Sequence, residues 1–203
     1  MAADVDLEIQ EEILLLALED RKGTLIGSMV EYALAGAVLA EMLLRREVEL
    51  TPSRKGKPLV RPAGHGRGRT GSEVLDEALE KIRGAKRAAS PQTWVGRLAR
   101  MKKLKHRVAR GLCRRGILRI DERKLLLVFD RTVYPELDHG PEGEVVERLR
   151  RAIFEEEGTV APETAVTVGL ASCVDLLGPI FGKKPIRARK KRIQEILEQH
   201  PVS

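Results

Sequence analysis

The chain has 203 residues, 42% of them hydrophobic and 33% charged, with a formal net charge of +7. That length suits one domain whose core is large enough to hold without disulfides. Its two cysteines, Cys113 and Cys173, lie in apolar-periodic segments and read as small buried hydrophobes of a reducing compartment. Neither has a CxxC partner or a histidine at ligand spacing, so no metal is expected.

Residues 1–20 lack a basic segment followed by an apolar one, so no secretory signal is expected. Residues 7–20 predict a first helix, with Leu7, Ile9, Ile13, Leu14, Leu16, Ala17 and Leu18 as a wide apolar face and the turn "DRKG" as its stop. A long helix over about 28–46 is apolar nearly all round and so central. "EVELTPSRKGKPLVRP" reads as two short strands around a glycine-containing turn. The basic loop that follows spells GxGxxG at Gly66, Gly68 and Gly71. Pro62 interrupts the lead-in and no βαβ alternation follows, which argues against a dinucleotide site.

"SEVLDEALEKIRG" predicts the next helix. Ser90 and Pro91 then supply an N-cap and a first helical residue. The helix they start carries Trp94 and Leu98, and it continues or bends into the basic helix 97–116, "RLARMKKLKHRVARGLCRRG". "ILRIDERKLLLVFDRTVYPE" predicts a β-hairpin over 117–130, with strands "ILRI" and "LLLVF" around a charged turn "DERK". Helices follow at 142–157, 162–178 and about 186–199. The pattern is mainly α with small hairpins in a single domain, 1–203, and its basic loop covers 51–72. The two most apolar segments carry Glu31 and Glu41, and Asp175 before a Gly178–Pro179 break, so they read as buried core helices and not as bilayer spans.

The charge is unevenly placed. Residues 1–50 carry 4 basic and 11 acidic side chains, residues 51–120 carry 20 and 4, and residues 121–203 carry 13 and 15. From Lys81 to Ile120 there are 14 basic residues and no acidic one. Such concentration implies a positive face and an anionic partner. On a continuous helix, Met101, Leu104, Val108 and Leu112 form one apolar stripe. Lys102 and Lys105 flank it together beside His106 and small Ala109, a niche of headgroup size. Lys103, Arg107, Arg110 and Arg114 fall on the solvent side.

Only Trp94 among the six aromatics lies in the acid-free window, which argues against a stacking surface for single-stranded nucleic acid. The only amide side chain there is Gln92, which argues against base reading in duplex DNA. An anionic membrane needs only clustered cations and an apolar element that dips in. Leu125, Leu126 and Leu127 of "KLLLVF" supply that element, or else form a buried strand. The four histidines are scattered, with His139 beside Asp138 in a loop. No HExxH, GxSxG or P-loop is present, so neither catalysis nor a cofactor is expected.

Five stretches, "LEIQEEILLLALEDRKG", "LAGAVLAEMLLRREVEL", "TGSEVLDEALEKI", "VARGLCRRGILR" and "LLLVFDRTVYPE", resemble in order and spacing the Golgi phosphoprotein 3 family, with a weaker echo in "LASCVDLLGPIF". The resemblance implies a central bundle of apolar helices ringed by amphipathic ones, with one or two small β-hairpins. It implies peripheral membrane binding through phosphatidylinositol 4-phosphate in a basic pocket, and a protruding hairpin for insertion and self-association. The family's two basic pocket residues fall on Lys102 and Lys105, its pocket tryptophan near Ile26 and its pocket arginine on Ala35. The last two contacts are therefore expected to be missing. With a first helix beginning near residue 7, the family's Arg-rich coatomer segment and coatomer binding are not expected. The Arg/Ala/Gly-rich composition is similar to that of a prokaryotic member.

The expectation is a non-enzymatic, cytoplasmic protein on the cytosolic face of a membrane, with an anionic lipid as partner. The contacts assigned are Lys102 and Lys105, supported by Arg100, Lys103, Arg107 and Arg110. The alternatives are a nucleic-acid-binding protein using the same segment together with "KKPIRARKKR", and a scaffold that self-associates through the hairpin into a homo-oligomer.

Overall fold

A computed structural model describes residues 6–19, 24–25, 29–64, 69–125, 129–155 and 157–199. Helix α1 (Ile9–Ala17) is buried along its whole length. Glu11 closes its first turn by accepting from the Glu8 backbone N–H at 3.1 Å. A two-residue ladder, β1 (Leu18–Glu19) with β2 (Thr24–Leu25), leads towards α2 (Val30–Leu44). Helix α2 is the other central element. Ala33, Leu34, Ala35, Ala37, Val38 and Met42 are all buried, and its small residues let neighbours approach closely. A Cβ on Gly36 would come within 2.8 Å of Leu170, and one on Gly169 within 2.7 Å of Leu197. Both apolar segments are thus core helices, and no helix among the described residues is long and apolar enough to cross a membrane.

The remaining elements surround α1 and α2. Strands β3 (Val48–Pro52) and β4 (Pro58–Pro62) form the expected hairpin, with Leu50 opposite Val60 and Gly56 at φ +74° in the turn. Helix α3 (Glu73–Arg83) buries Val74, Leu75, Ala78, Leu79 and Ile82, one face at spacings of three and four. Helix α4 (Pro91–Leu98) starts as expected, with the Ser90 hydroxyl accepting from the Thr93 backbone N–H at 3.3 Å. It stops at Leu98, and α5 (Leu104–Arg114) is a separate helix entered through Lys103 at φ +57°.

Three further elements differ from the sequence expectation. The second hairpin pairs β5 (Asp121–Leu125) with β6 (Phe129–Val133), so "DERK" is strand and not turn. The 117–120 segment is held beside the hairpin by an isolated bridge, Leu118 to Glu136. Helix α6 (Gly140–Arg150) runs into a π-helical turn, Arg151–Glu155. The helix expected over 162–178 divides into α7 (Pro162–Cys173) and α8 (Leu177–Phe181). The break lies at Asp175, φ +57°, and Gly178–Pro179 sit inside α8. Helices α9 (Lys183–Ala188) and α10 (Lys190–Gln199) are the last described elements. Cys173 is exposed and Cys113 half-buried, so neither is the buried hydrophobe its segment suggested.

Polar ties fix α1 in place. Glu12, 4% exposed, accepts from Arg148 at 2.6 Å and from the Thr167 hydroxyl at 2.8 Å. Glu11 accepts from Arg115 at 2.6 Å, and Glu41 accepts from the Ile9 backbone N–H at 2.9 Å and Arg45 at 2.6 Å. Each buried carboxylate has a partner, as burial of charge demands.

Candidate anion-binding face

The basic stretch is a turn followed by a helix. Leu98, Met101, Leu104, Val108 and Leu112 are all buried, so the apolar stripe anchors both parts to the core. The turn at 99–103 puts Arg100, Lys102 and Lys103 in solvent, and none makes an ion pair among the described residues. Lys103 adopts a left-handed backbone, costly for a residue with a Cβ, and starts α5 without a side-chain cap. The first turn of α5 has no acidic residue. Its free N–H groups therefore add their partial positive charge to that of the lysines.

Lys102 lies in this turn, so it and Lys105 do not share a helix flank as the wheel drew them. Lys105 Nζ is 3.7 Å from Glu31 Oε1 at the start of α2, which offsets part of its charge. Arg107 does not belong to the free face. Its side chain is only 15% exposed and pairs with Glu73 at 3.0 Å and with Glu77, both on α3. Arg110 and Arg114 are exposed, with no ion pair among the described residues.

His106 reports the local field. Burial, then the charges of Lys105, Lys103 and Arg110, hold its pKa below the ordinary 6.5, with Glu31 pulling the other way. Burial pushes the neighbouring Tyr134 hydroxyl up. The two side chains are hydrogen-bonded, with His106 Nδ1 2.7 Å from the Tyr134 hydroxyl oxygen.

Two apolar side chains that the sequence assigned to a core helix stand in solvent beside this face. Met29 is 62% exposed and Tyr32 44%, on either side of Glu31. Met29, at φ +63°, is the residue that starts α2. No sequence signal separates these two from the buried residues of the same segment. The packing of α2 on α5 and the Glu31–Lys105 contact bring this start of α2 next to the basic helix.

Ile26, Leu126 and Leu127 lie outside the described residues, and Leu125 ends β5 opposite Phe129. Ala35, where the resembling family has a pocket arginine, is fully buried. In "KKPIRARKKR", Arg189 and Arg192 have structural work: they donate to the carbonyls of Phe154, Ala152 and Gly158. The sequence also paired His139 with Asp138. Here Asp138 accepts from the Gly140 backbone, while His139 Nδ1 lies 2.7 Å from Glu136. Glu136, His139 and Glu142 bring one ligand-type atom each within 4.8 Å of the others, the only such grouping among the described residues.

The family model for Golgi phosphoprotein 3 (GPP34) matches residues 9–203. The chain belongs to that family. Among curated proteins it is similar to vacuolar protein sorting-associated protein 74 of Eremothecium gossypii, 30% identical over 148 residues. The match covers 65% of this chain and 44% of that protein, so the chain spans under half the length of this relative. The family match reaches both α5 and the hairpin, so the basic turn lies within the Golgi phosphoprotein 3 unit.

Proposed function

We propose that this protein is a non-enzymatic, peripheral membrane protein that docks on anionic phospholipid headgroups. Its contacts are Arg100, Lys102, Lys103, Lys105 and Arg110, with Met29 and Tyr32 entering the interfacial region. The observation that carries the reading is the juxtaposition at Glu31: its contact with Lys105 sets the start of α2, with exposed Met29 and Tyr32, against α5, whose leading turn carries cations without carboxylate partners among the described residues. Each such cation contributes about 1 kcal/mol near an anionic surface, and a small apolar insertion adds to it. Membership of the Golgi phosphoprotein 3 family favours phosphatidylinositol 4-phosphate as headgroup, on the cytosolic face of a membrane. With Ala35 in the core, headgroup selectivity rests on Lys102 and Lys105 and on the residues around them. Hairpin β5–β6 is assigned to insertion or self-association. Exposed Ile120 and Leu137 at its base support this, and light scattering on a variant lacking the hairpin tests it.

Vesicle flotation tests the main reading. The full chain should float with vesicles containing phosphatidylinositol 4-phosphate and stay behind with neutral ones. Lys102→Glu with Lys105→Glu should abolish flotation. Equal binding to neutral and anionic vesicles at low salt overturns the proposal.

A further inference from the structure

A concavity of about 440 Å³ opens between β4, the end of α3, the turn after it and α4. It shares no residue with the face described above. Its floor is apolar: Val60, Ile82 and Trp94 are all buried. The bridge from the Val60 backbone N–H to the Ala89 carbonyl, 2.9 Å, holds the turn against β4 and shapes the wall.

Two independent features point to a ligand. The first is the rim, formed by Arg61, Arg83, Lys86 and Arg87, all exposed. Arg61 spends one N–H on the Thr51 hydroxyl at 3.1 Å, and the carboxylate nearest Arg83 is Glu47 at 3.9 Å, the outer limit of an ion pair. Lys86 and Arg87 make no ion pair among the described residues. The second is Trp94, 2% exposed, whose Nε1–H is itself enclosed and has no acceptor among the described residues. A buried indole N–H ordinarily has a partner, and leaving it without one is costly.

We propose that this concavity is a second anion site, taking a phosphate monoester whose oxygens accept from the cationic rim and, once the enclosed indole edge opens to the ligand, from Trp94 Nε1. A doubly charged, three-oxygen group satisfies such a rim better than a carboxylate does. The apolar floor receives the carbon skeleton of the ester. This site does not depend on Lys102 or Lys105.

Trp94 is the only tryptophan of the chain, so the site carries its own reporter. The full chain is titrated with glycerol phosphate, with vesicles containing phosphatidic acid and with neutral vesicles, following Trp94 emission. A saturable change with either phosphate ester supports the proposal. Glycerol phosphate alone indicates a soluble ligand, and phosphatidic acid alone a lipid one. The change should persist in Lys102→Glu with Lys105→Glu. It should weaken at least tenfold in Lys86→Ser with Arg87→Ser, whose fold is checked by thermal melting. Calorimetry on Trp94→Phe, which keeps an aromatic ring and loses the N–H, should also show weaker binding. Three results overturn the proposal: no saturable response to either ester, unchanged affinity in the Lys86/Arg87 variant, or an equal response to chloride, which would mark an adventitious ion only. Equally tight binding of a DNA duplex would assign the rim to nucleic acid instead and also overturn it.

Discussion

Glu31→Gln should strengthen membrane recruitment, a direction that nonspecific damage to the fold does not produce. Glu31 stands between the exposed Met29 and Tyr32, 3.7 Å from Lys105 Nζ. At that distance the pair interaction is ~1 kcal/mol in water. Both side chains are a third or more exposed, so the net worth of the pair to stability is about 0–1 kcal/mol. Its effect at an anionic surface is larger. The substitution removes one negative charge from the contact region and releases Lys105, a gain of about 1 kcal/mol, or roughly fivefold in affinity. The assay is sedimentation with vesicles of stated anionic content at low salt, with melting curves to verify the fold. Lys102→Gln is the control and should weaken binding about fivefold on the same scale. The gain should shrink as salt is raised towards 1 M, where the Debye length falls to about 3 Å. If Glu31→Gln binds no better than the parent while Lys102→Gln behaves as expected, the membrane does not meet the protein at Glu31 and Lys105.

Replacing Arg107 and Glu77 together by glutamine leaves net charge unchanged. It should lower the melting temperature but keep vesicle binding within about twofold, because that cation faces α3. Arg148→Met leaves Glu12 buried with only the Thr167 hydroxyl, at a cost of about 3–5 kcal/mol. In a chain of this length that lowers the melting temperature by roughly 10 °C in a calorimetric scan. The lowered pKa of half-buried His106 makes stability fall as pH drops below the unfolded value of about 6.5. There the unfolded chain takes up the proton that burial and the charges of Lys105, Lys103 and Arg110 exclude from the fold. Denaturant titrations across that range should be flatter in His106→Asn. Cys173, exposed, should react with a thiol reagent before Cys113, whose thiol burial pushes up, and Cys173→Ser should remove the fast phase.

Apolar periodicity is local, and what it encodes was legible. Leu98, Met101, Leu104, Val108 and Leu112 are buried as their spacing demands, and the Ser90–Pro91 start is where the residues put it. The left-handed turn at Lys103 carries no glycine or asparagine to announce it. A helical wheel therefore runs straight through the break and places Lys102 on a helix it does not join. Asp175 hides a second break in the same way. "DERK" looked like a turn because it has no apolar alternation to mark it as strand, yet its backbone pairs with β6. The partners of Arg107 lie 30 and 34 residues away and those of Lys105 are on α2, so no local pattern distinguishes a paired cation from a free one.

That distinction changes the meaning of the acid-free window. Of its 14 basic residues, Lys81, Arg83, Lys105, Arg107, Arg115 and Arg119 meet carboxylates, all supplied from outside the window. Arg97 lies over the Trp94 ring, 4.8 Å from its centroid. The window is therefore not uniformly available to a partner: half of its cations are engaged, and three of them, Lys105, Arg107 and Arg115, join the basic helix and its end to α2, α3 and α1. Lys86 and Arg87 remain at the concavity, Arg100, Lys102 and Lys103 at the turn, and Arg110 and Arg114 on α5. A cation held in a close ion pair, as Arg107 and Arg115 are, has already exchanged hydration for a carboxylate and gains little from an anionic surface. Of the unpaired ones, Lys102 and Lys103 lie at a helix start that would be more stable without them. Substitutions at the closely paired Arg107 and Arg115 should therefore be read in the melting curve, and those in the unpaired set, together with Lys105 in its loose 3.7 Å pair, in the binding isotherm.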